Sequence, residues 1–441
     1  MTASLKIVSL IASCVLVSAC GSVAIQPTRP VNGMDTTMGK YEESQADRYI
    51  IVTMDDAIHE QLVQGERVDR EATLPPRYAQ FLSHLSRTYG LKRVADWPLG
   101  SLSIRCLVFE VSDPAQRAAT IAALSREQYV ESAQEVSAFY TSSDAVAAPQ
   151  VAATDYNDPY QNLQHALNEM QILESHRWAT GRGVRVAVID TGSDTRHPEL
   201  RQRITGTRNF VDRDANAFNG DVHGTAVTGV IAAVSNNGAG LVGVAPEADI
   251  VSLKACWQRG SAAGEKASDA ICSSFTLAKA LNFAIDQQVD VINLSLGGPA
   301  DPLLARLVNK ALEQNILVVG AATPKWPGGF PVGIDGVIGV ANMDAQPQHR
   351  LVNAPGNQVF STRPENQYDF YTGSSFSAAH VSGVTALIRQ RKPHLPAKIV
   401  KELIAATSQP KQGANACRAV ARVVESEGCG TADTVSQTND L

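Results

Sequence analysis

A serine that precedes a helix of small residues is the first feature of this chain that could perform chemistry. The stretch Tyr371–Gly383 reads Y-T-G-S-S-F-S-A-A-H-V-S-G, so Ser375 stands at the first turn of the helix predicted by the small residues. The first N–H groups of a helix lack partners inside it and form the positive end of its dipole, so they can hold negative charge that develops beside a serine hydroxyl. A serine here is also an ordinary helix cap, so a nucleophile requires partners elsewhere.

Two other stretches supply such partners. The apolar run Val184–Ile189 predicts a buried strand, and Asp190 follows at its carboxyl end. His223 begins another run of small residues, H-G-T-A-V-T-G-V, which predicts a helix. A carboxylate can orient a histidine, and the histidine can take the proton of a serine that attacks a carbonyl carbon. Each residue alone has a structural explanation, and only the three together predict acyl transfer.

The elements around these residues predict one large α/β unit. Nearly continuous apolar runs favour parallel strands covered on both faces, and they lie at Val184–Ile189, Asp249–Ala255, Val289–Leu296, Ile316–Ala322 and Gly336–Ala341. Helical patterns alternate with them at His223–Val234, Ser274–Gln288, Leu303–Gln314, Phe376–Arg391 and Pro396–Ala406. This alternation predicts a doubly wound, mostly parallel sheet with its site at the carboxyl ends of the strands.

The motifs and their order resemble those of the subtilisin-like serine proteases (subtilases). The resemblance covers residues 156–407, with the triad candidates in the family's order of Asp, His and Ser. The matching segments are V-A-V-I-D-T-G, H-P-E-L at His197–Leu200, H-G-T, Asn237–Pro246, Val291–Gly298, Ala354–Gly356 and G-S-S-F-S-A-A-H-V-S-G. The resemblance implies a subtilisin-like fold and an endopeptidase that acts on polypeptides.

The family pattern implies a role for each candidate residue. Ser375 is the nucleophile, His223 the general base and Asp190 the residue that orients the imidazole. The backbone N–H of Ser375 is one donor to the oxyanion. An extended substrate would pair with the backbone of Ser295-Leu296-Gly297, and Ala321-Ala322 would form the opposite wall of the pocket for the residue before the scissile bond. His380 carries over as a structural residue.

One departure from the family pattern concerns the oxyanion. Pro324 (or Thr323) stands where the family has an asparagine whose side-chain amide binds the oxyanion, and the Thr323 hydroxyl is the alternative donor. Proline has neither an amide side chain nor an N–H. Losing one such donor costs about 10²–10³ in rate. A protein that keeps the fold for binding or scaffolding, without useful turnover, is therefore the alternative interpretation.

The cysteines predict disulfide bonds in an exported protein. Besides the cysteines near the N-terminus and Cys106, the chain has Cys256, Cys272, Cys417 and Cys429. Four cysteines allow three pairings, and pairing of neighbours, Cys256–Cys272 and Cys417–Cys429, closes two short loops. A metal site is the rival explanation, but no histidine or second cysteine stands at ligand spacing.

Two further features follow from the family resemblance. Glu199 and Asn236 lie where many relatives bind a structural calcium ion, although Asn-Asn-Gly is also an ordinary turn. No other cofactor is expected. Residues 48–140 have the order βαββαβ of a ferredoxin-like unit, with strands at Arg48–Met54, Leu91–Ala95, Ser103–Ser112 and Tyr129–Tyr140 and helices at Arg77–Leu91 and Asp113–Arg126. This unit resembles the inhibitory propeptide of the family, and an independent small domain is the alternative.

The N-terminus predicts export and a lipid anchor. Lys6, the apolar run Ile7–Val17 and Ser18-Ala19-Cys20 resemble a bacterial lipoprotein signal, in which Cys20 is acylated. A plain signal peptide that contains a cysteine is the alternative. Gly21 fits sorting to the outer membrane. Cleavage inside Thr141–Asp155 would release the catalytic part from this anchor. The net charge of −6 and the pI near 5.9 argue against a nucleic-acid partner.

The predicted organisation therefore has six segments. They are a signal peptide (1–19), a tether (20–47), a propeptide-like unit (48–140), a linker (141–155), a catalytic domain (156–410) and a C-terminal extension with a disulfide and a polar tail (411–441).

Overall fold

The computed structural model describes residues 43–63, 76–141, 156–212, 214–258, 270–343, 351–408, 413–426 and 429, all within one compact unit. The predicted signal peptide with Cys20, most of the tether and linker, and the polar tail lie outside these residues. Among the helices in the described ranges, none has the length and hydropathy to cross a bilayer.

The N-terminal part contains a four-stranded antiparallel sheet with helices on one face. Its strands have the spatial order β2-β3-β1-β4. In chain order the elements are β1 (Tyr49–Asp55), α1 (Asp56–Val63), α2 (Pro76–Tyr89), β2 (Leu91–Leu99), β3 (Ile104–Val111), α3 (Arg117–Leu124) and β4 (Ser132–Glu135). Helix α1 was absent from the sequence prediction, and β2 is longer than the predicted strand.

Both faces of this sheet are apolar, and each packs on a different layer. Because successive strand residues point to opposite faces, Ile50 and Val52 pack against α2 and α3 in one cluster. Ile51, with Trp97 on β2, joins a second cluster. That second cluster includes α8 (Ser274–Asp286) and α9 (Pro302–Glu313) of the following domain. The N-terminal sheet is therefore part of the same hydrophobic core as the rest of the described chain.

The larger domain is built on a seven-stranded parallel sheet with the order β14-β13-β12-β11-β6-β8-β7. Its strands are β6 (Arg185–Asp190), β7 (Ile204–Asn209), β8 (Asp249–Lys254), β11 (Val291–Leu294), β12 (Leu317–Ala321), β13 (Ile338–Asn342) and β14 (Val352–Ala354). The other strands are β5 (Ala138–Tyr140), β9 (Cys256–Gln258), β10 (Ala270–Ser273), β15 (Val359–Arg363) and β16 (Gln367–Tyr371). The sheet confirms the predicted α/β class.

Helices cover both faces of the parallel sheet. On one face lie α8 and α9, and on the other lie α7 and α10 to α12. Besides α8 and α9, the helices are α4 (His165–Glu169), α5 (Ile172–Ser175), α6 (Ala215–Gly220), α7 (Val222–Ala232), α10 (Ser374–Arg391), α11 (Ala397–Thr407) and α12 (Ala416–Val423). The central helix α10 is buried along most of its length, which explains why its residues are small.

The prediction of one strand over Tyr129–Tyr140 was wrong. The chain leaves the first sheet after β4 and continues as β5, which pairs with β10 instead. Ser137 lies at the change of direction, where its N–H donates to the Ser274 hydroxyl at 2.8 Å. Alternating side chains continue through the break, so the sequence alone does not reveal it. The predicted strands of the parallel sheet are all present, but the edge strands β7 and β14 were missed because β7 is half exposed and β14 is short.

Candidate active site

The predicted triad residues lie at the ends of three buried elements. Asp190 is the last residue of β6, His223 the second residue of α7 and Ser375 the second residue of α10. All three side chains are buried. The structure therefore brings the elements of the three sequence motifs to the carboxyl edge of the parallel sheet, where the sequence placed them.

Asp190 holds His223 through one hydrogen bond. His223 Nδ1 donates to Asp190 Oδ1 at 2.8 Å, and the Thr191 N–H donates to the same oxygen at 2.7 Å. Within the described residues, His223 Nε2 and Asp190 Oδ2 have no hydrogen-bond partner. With its proton on Nδ1, the imidazole presents a free lone pair on Nε2, which is the state that a general base requires.

Gly224 allows α7 to approach the turn that follows Asp190. A Cβ at Gly224 would lie 2.1 Å from the carbonyl oxygen of Gly192 and 3.2 Å from Cβ of Asp190. The H-G-T motif therefore needs glycine after the histidine so that the helix can bring His223 against the aspartate.

Ser375 is held by the strand edge beside it. Its Oγ donates to the carbonyl oxygen of Ser295 at 2.8 Å, and Ser295 Oγ donates back to the carbonyl oxygen of Ser375 at 2.8 Å. The Ser375 hydroxyl thus points to Ser295 and makes no hydrogen bond to His223 in the described structure. Proton transfer to Nε2 requires the hydroxyl to rotate from the Ser295 carbonyl to the histidine.

A buried lysine next to the triad was not singled out from the sequence. Lys254 ends β8 directly opposite Asp190, and its ammonium donates to the Thr191 carbonyl at 2.6 Å and to the Asp221 carboxylate. Asp221 immediately precedes α7. The ion pair therefore joins the turn after Asp190 to the start of the His223 helix. A lysine at the end of the apolar run D-I-V-S-L-K was the signal for it, since an unpaired lysine is almost never fully buried.

The predicted oxyanion segment adjoins the start of α10. Ser374 Oγ donates to the carbonyl oxygen of Ala322 at 2.7 Å, which fixes the end of β12 beside Ser375. Thr323 is half-buried with its methyl group against Gly297, and Pro324 is exposed. The backbone N–H of Ser375 belongs to the first turn of α10, where helical partners are lacking. Whether Thr323 acts as a second donor stays a prediction.

Gly297, one of the predicted substrate-binding residues, lies at a strand-shaped groove that is occupied by the chain's own β5. Tyr140 and Gly297 exchange two backbone hydrogen bonds, both 3.0 Å. On the other side β5 pairs with β10, and the Thr141 N–H donates to the Ala270 carbonyl at 3.2 Å. The groove lies between β10 and the segment Ser295–Gly297, while Ala321 and Ala322 are buried at the end of β12.

The structure contains both disulfide bonds of the neighbour pairing. Cys256 and Cys272 face each other on β9 and β10 and join the two strands of the groove's outer wall. Cys417 on α12 is bonded to Cys429 in the C-terminal segment. Cys106 is free and buried in β3, and burial raises the pKa of its thiol.

In the predicted calcium region, the polar side chains make hydrogen bonds with one another and with the backbone. Glu199 accepts hydrogen bonds from Asn237 Nδ2 at 3.1 Å and from the Leu241 N–H at 3.4 Å. The Ala239 N–H donates to Asn237 Oδ1, which fixes the side chain with its amino group toward Glu199. Asn236 donates its backbone N–H to Asp158 at 2.8 Å. The carboxylates thus face N–H donors, an arrangement that does not fit a cation with six to eight oxygen ligands.

The glutamate in this region is shielded from solvent. Burial raises the pKa of Glu199 to about 7. Within the described residues, no cluster of three or more acidic, histidine or cysteine side chains is suited to a metal. The expectation of calcium remains a prediction from the family pattern, and no step of the chemistry passes through it.

Fold and site together define a class of protein. A doubly wound parallel sheet carries a serine at a helix start, a histidine with a free Nε2 and a buried aspartate at one edge, beside a groove that binds extended polypeptide. These are the functional groups of acyl transfer by a serine nucleophile.

The particular family follows from comparison with known proteins. The family model described as "Subtilase family" matches residues 181–430, and the chain belongs to this family. It is 38% identical over 269 residues to an intracellular serine protease of Paenibacillus polymyxa, covering 53% of this chain and 78% of that protein. It is 32% identical over 245 residues to thermitase of Thermoactinomyces vulgaris, covering 53% of this chain and 84% of thermitase.

Solved structures agree on the fold. Fervidolysin of Fervidobacterium pennivorans, a keratinolytic enzyme related to subtilisin, superposes with a TM-score of 0.66 at 21% identity, covering 87% of this chain and 62% of that chain. At this identity the likeness concerns the fold alone. The family membership and the relatives named as serine proteases make the chain a serine endopeptidase.

Proposed function

We propose that this endopeptidase hydrolyses peptide bonds through Asp190, His223 and Ser375, and is made as a lipid-anchored precursor that its N-terminal unit inhibits. The observation that carries the proposal is the position of β5 in the groove. Its Tyr140 pairs with Gly297, two residues from Ser295, whose carbonyl holds the Ser375 hydroxyl. An extended polypeptide paired in this way has its backbone beside the nucleophile.

The reaction proceeds by acyl transfer. Ser375 Oγ attacks the carbonyl carbon of the substrate, and His223 Nε2 takes its proton while Asp190 stabilises the imidazolium. His223 then gives the proton to the leaving amine as the C–N bond breaks, which leaves an ester on Ser375. Water, deprotonated by His223, attacks the ester, and the serine recovers its proton. The Ser375 N–H at the start of α10 donates to the oxyanion in both steps.

The inhibitory role rests on contacts between the N-terminal unit and the catalytic domain. Sheet order β2-β3-β1-β4 with helices on one face supports the ferredoxin-like assignment. Its other face packs on α8 and α9 within one apolar cluster. Polar contacts surround this cluster, since Gln134 donates to Asp301 at 2.9 Å and Ser101 Oγ donates to Asn282 at 2.6 Å. This interface between the N-terminal unit and the catalytic domain keeps β5 in the groove when other polypeptides compete for it.

Side chains of β5 also stabilise its position in the groove. Phe139 is fully buried, and its ring packs at 5.3 Å against Phe330 and directly over Gly298. A Cβ at Gly298 would lie 2.3 Å from the Phe139 ring, so glycine is required for this contact. A precursor whose own strand fills the groove so closely is inhibited until the strand is cleaved and leaves.

Export and anchoring rest on the sequence before residue 43. The lipoprotein-like signal ending at Cys20 supports acylation of that thiol, and the two disulfide bonds suit an oxidising compartment. Cleavage within residues 141–155 would separate the catalytic domain from the lipid. The mature enzyme would then be released from the envelope with polypeptides as its substrates.

One experiment tests catalysis and processing together. Cells that produce the wild type or Ser375→Ala are labelled with a fluorophosphonate and with radioactive palmitate, and the products are sequenced from the N-terminus. We expect a labelled wild-type catalytic domain that begins within or just after residues 141–155. Ser375→Ala should remain full-length, unlabelled by the fluorophosphonate and palmitoylated. Identical labelling and size in both proteins would refute the triad. Incorporation of palmitate into a Cys20→Ala variant would refute the anchor at Cys20.

A further inference from the structure

The segment Thr323–Trp326 has a second consequence besides the loss of the oxyanion asparagine. We propose that Lys325 and Trp326 form a side-chain subsite that selects an aromatic residue in the substrate, at the position that Tyr140 occupies in the precursor. This inference rests on the proposed function, because it names the substrates that the same groove prefers.

Tyr140 reaches this subsite through a backbone arrangement that any polypeptide can adopt. Its main chain pairs with Gly297 on one side and with Ile271 of β10 on the other. Backbone pairing does not depend on side-chain identity, as in other cases where a peptide adds a strand to a sheet. A substrate in the same strand position therefore places one of its side chains where the Tyr140 ring lies.

Neighbouring residues of β5 point to opposite faces, so Tyr140, and not Phe139, contacts the segment Thr323–Trp326. Phe139 is directed into the buried pocket at Phe330, whereas Tyr140 is half-buried and lies on the face of Trp326. The alternation of side chains along a strand explains this division. The two subsites are thus independent, and a substrate can satisfy one without the other.

Trp326 and Lys325 both lie within contact distance of the tyrosine ring. The rings of Tyr140 and Trp326 are stacked, with centroids 5.6 Å apart and planes at 9°. Lys325 Nζ lies 5.1 Å from the Tyr140 ring and 4.5 Å from the Trp326 ring. Stacking and cation–π contact both require the flat electron-rich face of an aromatic side chain. An aliphatic residue would lose both interactions.

The Trp326 side chain is positioned by the turn that replaces the asparagine-bearing loop. The backbone N–H of Trp326 donates to the Thr323 carbonyl at 3.2 Å, and the backbone N–H of Gly329 donates to the Trp326 carbonyl at 3.0 Å. Phe330 then pairs with Gly298 through backbone hydrogen bonds of 3.0 Å in both directions. The turn is thereby fixed to the same edge that binds the substrate backbone. Its side chains are therefore part of the groove even when β5 has left.

The test compares internally quenched peptides with the sequence of residues 137–146, S-A-F-Y-T-S-S-D-A-V. One peptide keeps tyrosine at the fourth position, and the others carry alanine or glutamate there. Processed wild-type enzyme should hydrolyse the tyrosine peptide with a kcat/KM about five- to tenfold above the alanine peptide, the range expected for one aromatic contact. In Trp326→Ala this ratio should fall to about one, and Trp326→Phe should restore most of it.

Other outcomes would overturn the inference. Equal ratios in the wild type and Trp326→Ala would show that the stacked ring is not a determinant of specificity. A preference for the glutamate peptide that Lys325→Ala abolishes would show that the subsite selects charge instead of an aromatic ring.

A second measurement separates this inference from the proposed catalysis. In full-length Ser375→Ala, unfolding midpoints are compared for Tyr140→Ala, Trp326→Ala and the double variant. Coupling between the two residues should make the double variant less destabilised than the sum of the single variants. Additive effects would refute the contact. If no peptide is hydrolysed and fluorophosphonate labelling fails, the proposed function is refuted while the cycle still decides the subsite.

Discussion

At the level of single residues, the oxyanion region differs from the pattern expected for the family at position 324. Ser374 fixes the end of β12 next to Ser375 through the Ala322 carbonyl. Position 324 follows two residues later, and a side-chain amide there would add the donor that proline cannot provide.

We therefore expect Pro324→Asn to raise kcat by about 10–10², with little change in KM, since an oxyanion donor acts mainly in the transition state. Steady-state kinetics on a peptide substrate measures this. Pro324→Ala is the matched control, because it removes the ring without adding an amide. Equal kcat values for the asparagine, alanine and wild-type enzymes would show that the second donor comes from another group.

The histidine inside the serine motif makes stability depend on pH. His380 is buried, its Nδ1 donates to the Pro355 carbonyl at 3.1 Å, and burial lowers its pKa to about 4. Above the unfolded pKa of about 6.5 the imidazole is neutral in both states, so its contribution to stability is complete. As the pH falls from there through about 4, the unfolded state binds the proton first and stability is lost.

In the Ser375→Ala background, this loss should amount to about 3 kcal/mol between these pH values. His380→Asn keeps a donor for the Pro355 carbonyl and cannot titrate in this range. Its free energy of unfolding, measured by urea titration at several pH values, should therefore fall less steeply below pH 6.5 than that of the parent. Parallel pH profiles for the two proteins would contradict this explanation.

At the level of elements, the disulfide Cys256–Cys272 braces the outer wall of the groove. It joins β9 to β10, and β10 is the strand that pairs with the occupant of the groove. Its loss should weaken the binding of extended polypeptide as well as the fold. Cys256→Ala/Cys272→Ala should lower stability by about 3 kcal/mol, as expected for a loop of this size, and raise KM for long peptides.

The second disulfide is a matched control for this effect. Cys417→Ala/Cys429→Ala removes a bridge of similar loop length in the C-terminal segment. It should lower the unfolding midpoint by a comparable amount while leaving KM unchanged. Kinetics below the unfolding range of both variants compares them directly, and an equal rise in KM would show that the groove has no special need for the first bridge.

How much the sequence predicted also differs between elements. Buried strands such as β6 and β12 were found because strands covered on both faces are continuously apolar. The triad could be placed because Asp190 ends such a strand, whereas His223 and Ser375 begin helices of small residues. Lys254 was missed because its partner Asp221 is distant in sequence, and the two meet only when the end of β8 packs beside the start of α7. The division of Tyr129–Tyr140 depends on pairing with β10, which local alternation cannot reveal.

For the molecule as a whole, the N-terminal sheet and the catalytic domain share one hydrophobic cluster. Trp97 is buried at this junction, and its ring centroid lies 6.2 Å from that of Phe275. Lys279 Nζ lies 4.7 Å from the centroid of the Trp97 ring. Burial of a side chain between two units couples their unfolding, since neither unit can open without exposing it. Full-length Ser375→Ala should therefore unfold in a single calorimetric transition.

Trp97→Ala should break this coupling, because removing a buried tryptophan costs about 3–5 kcal/mol. The smaller N-terminal sheet should then unfold first and give a separate transition at lower temperature. Lys92→Ala on the same strand is the control, since its side chain is 80% exposed and pairs only with Glu110 among the ion pairs of the described chain. Two transitions already present in the parent would mean that the units are stable independently. One unshifted transition in Trp97→Ala would mean that this side chain does not couple them.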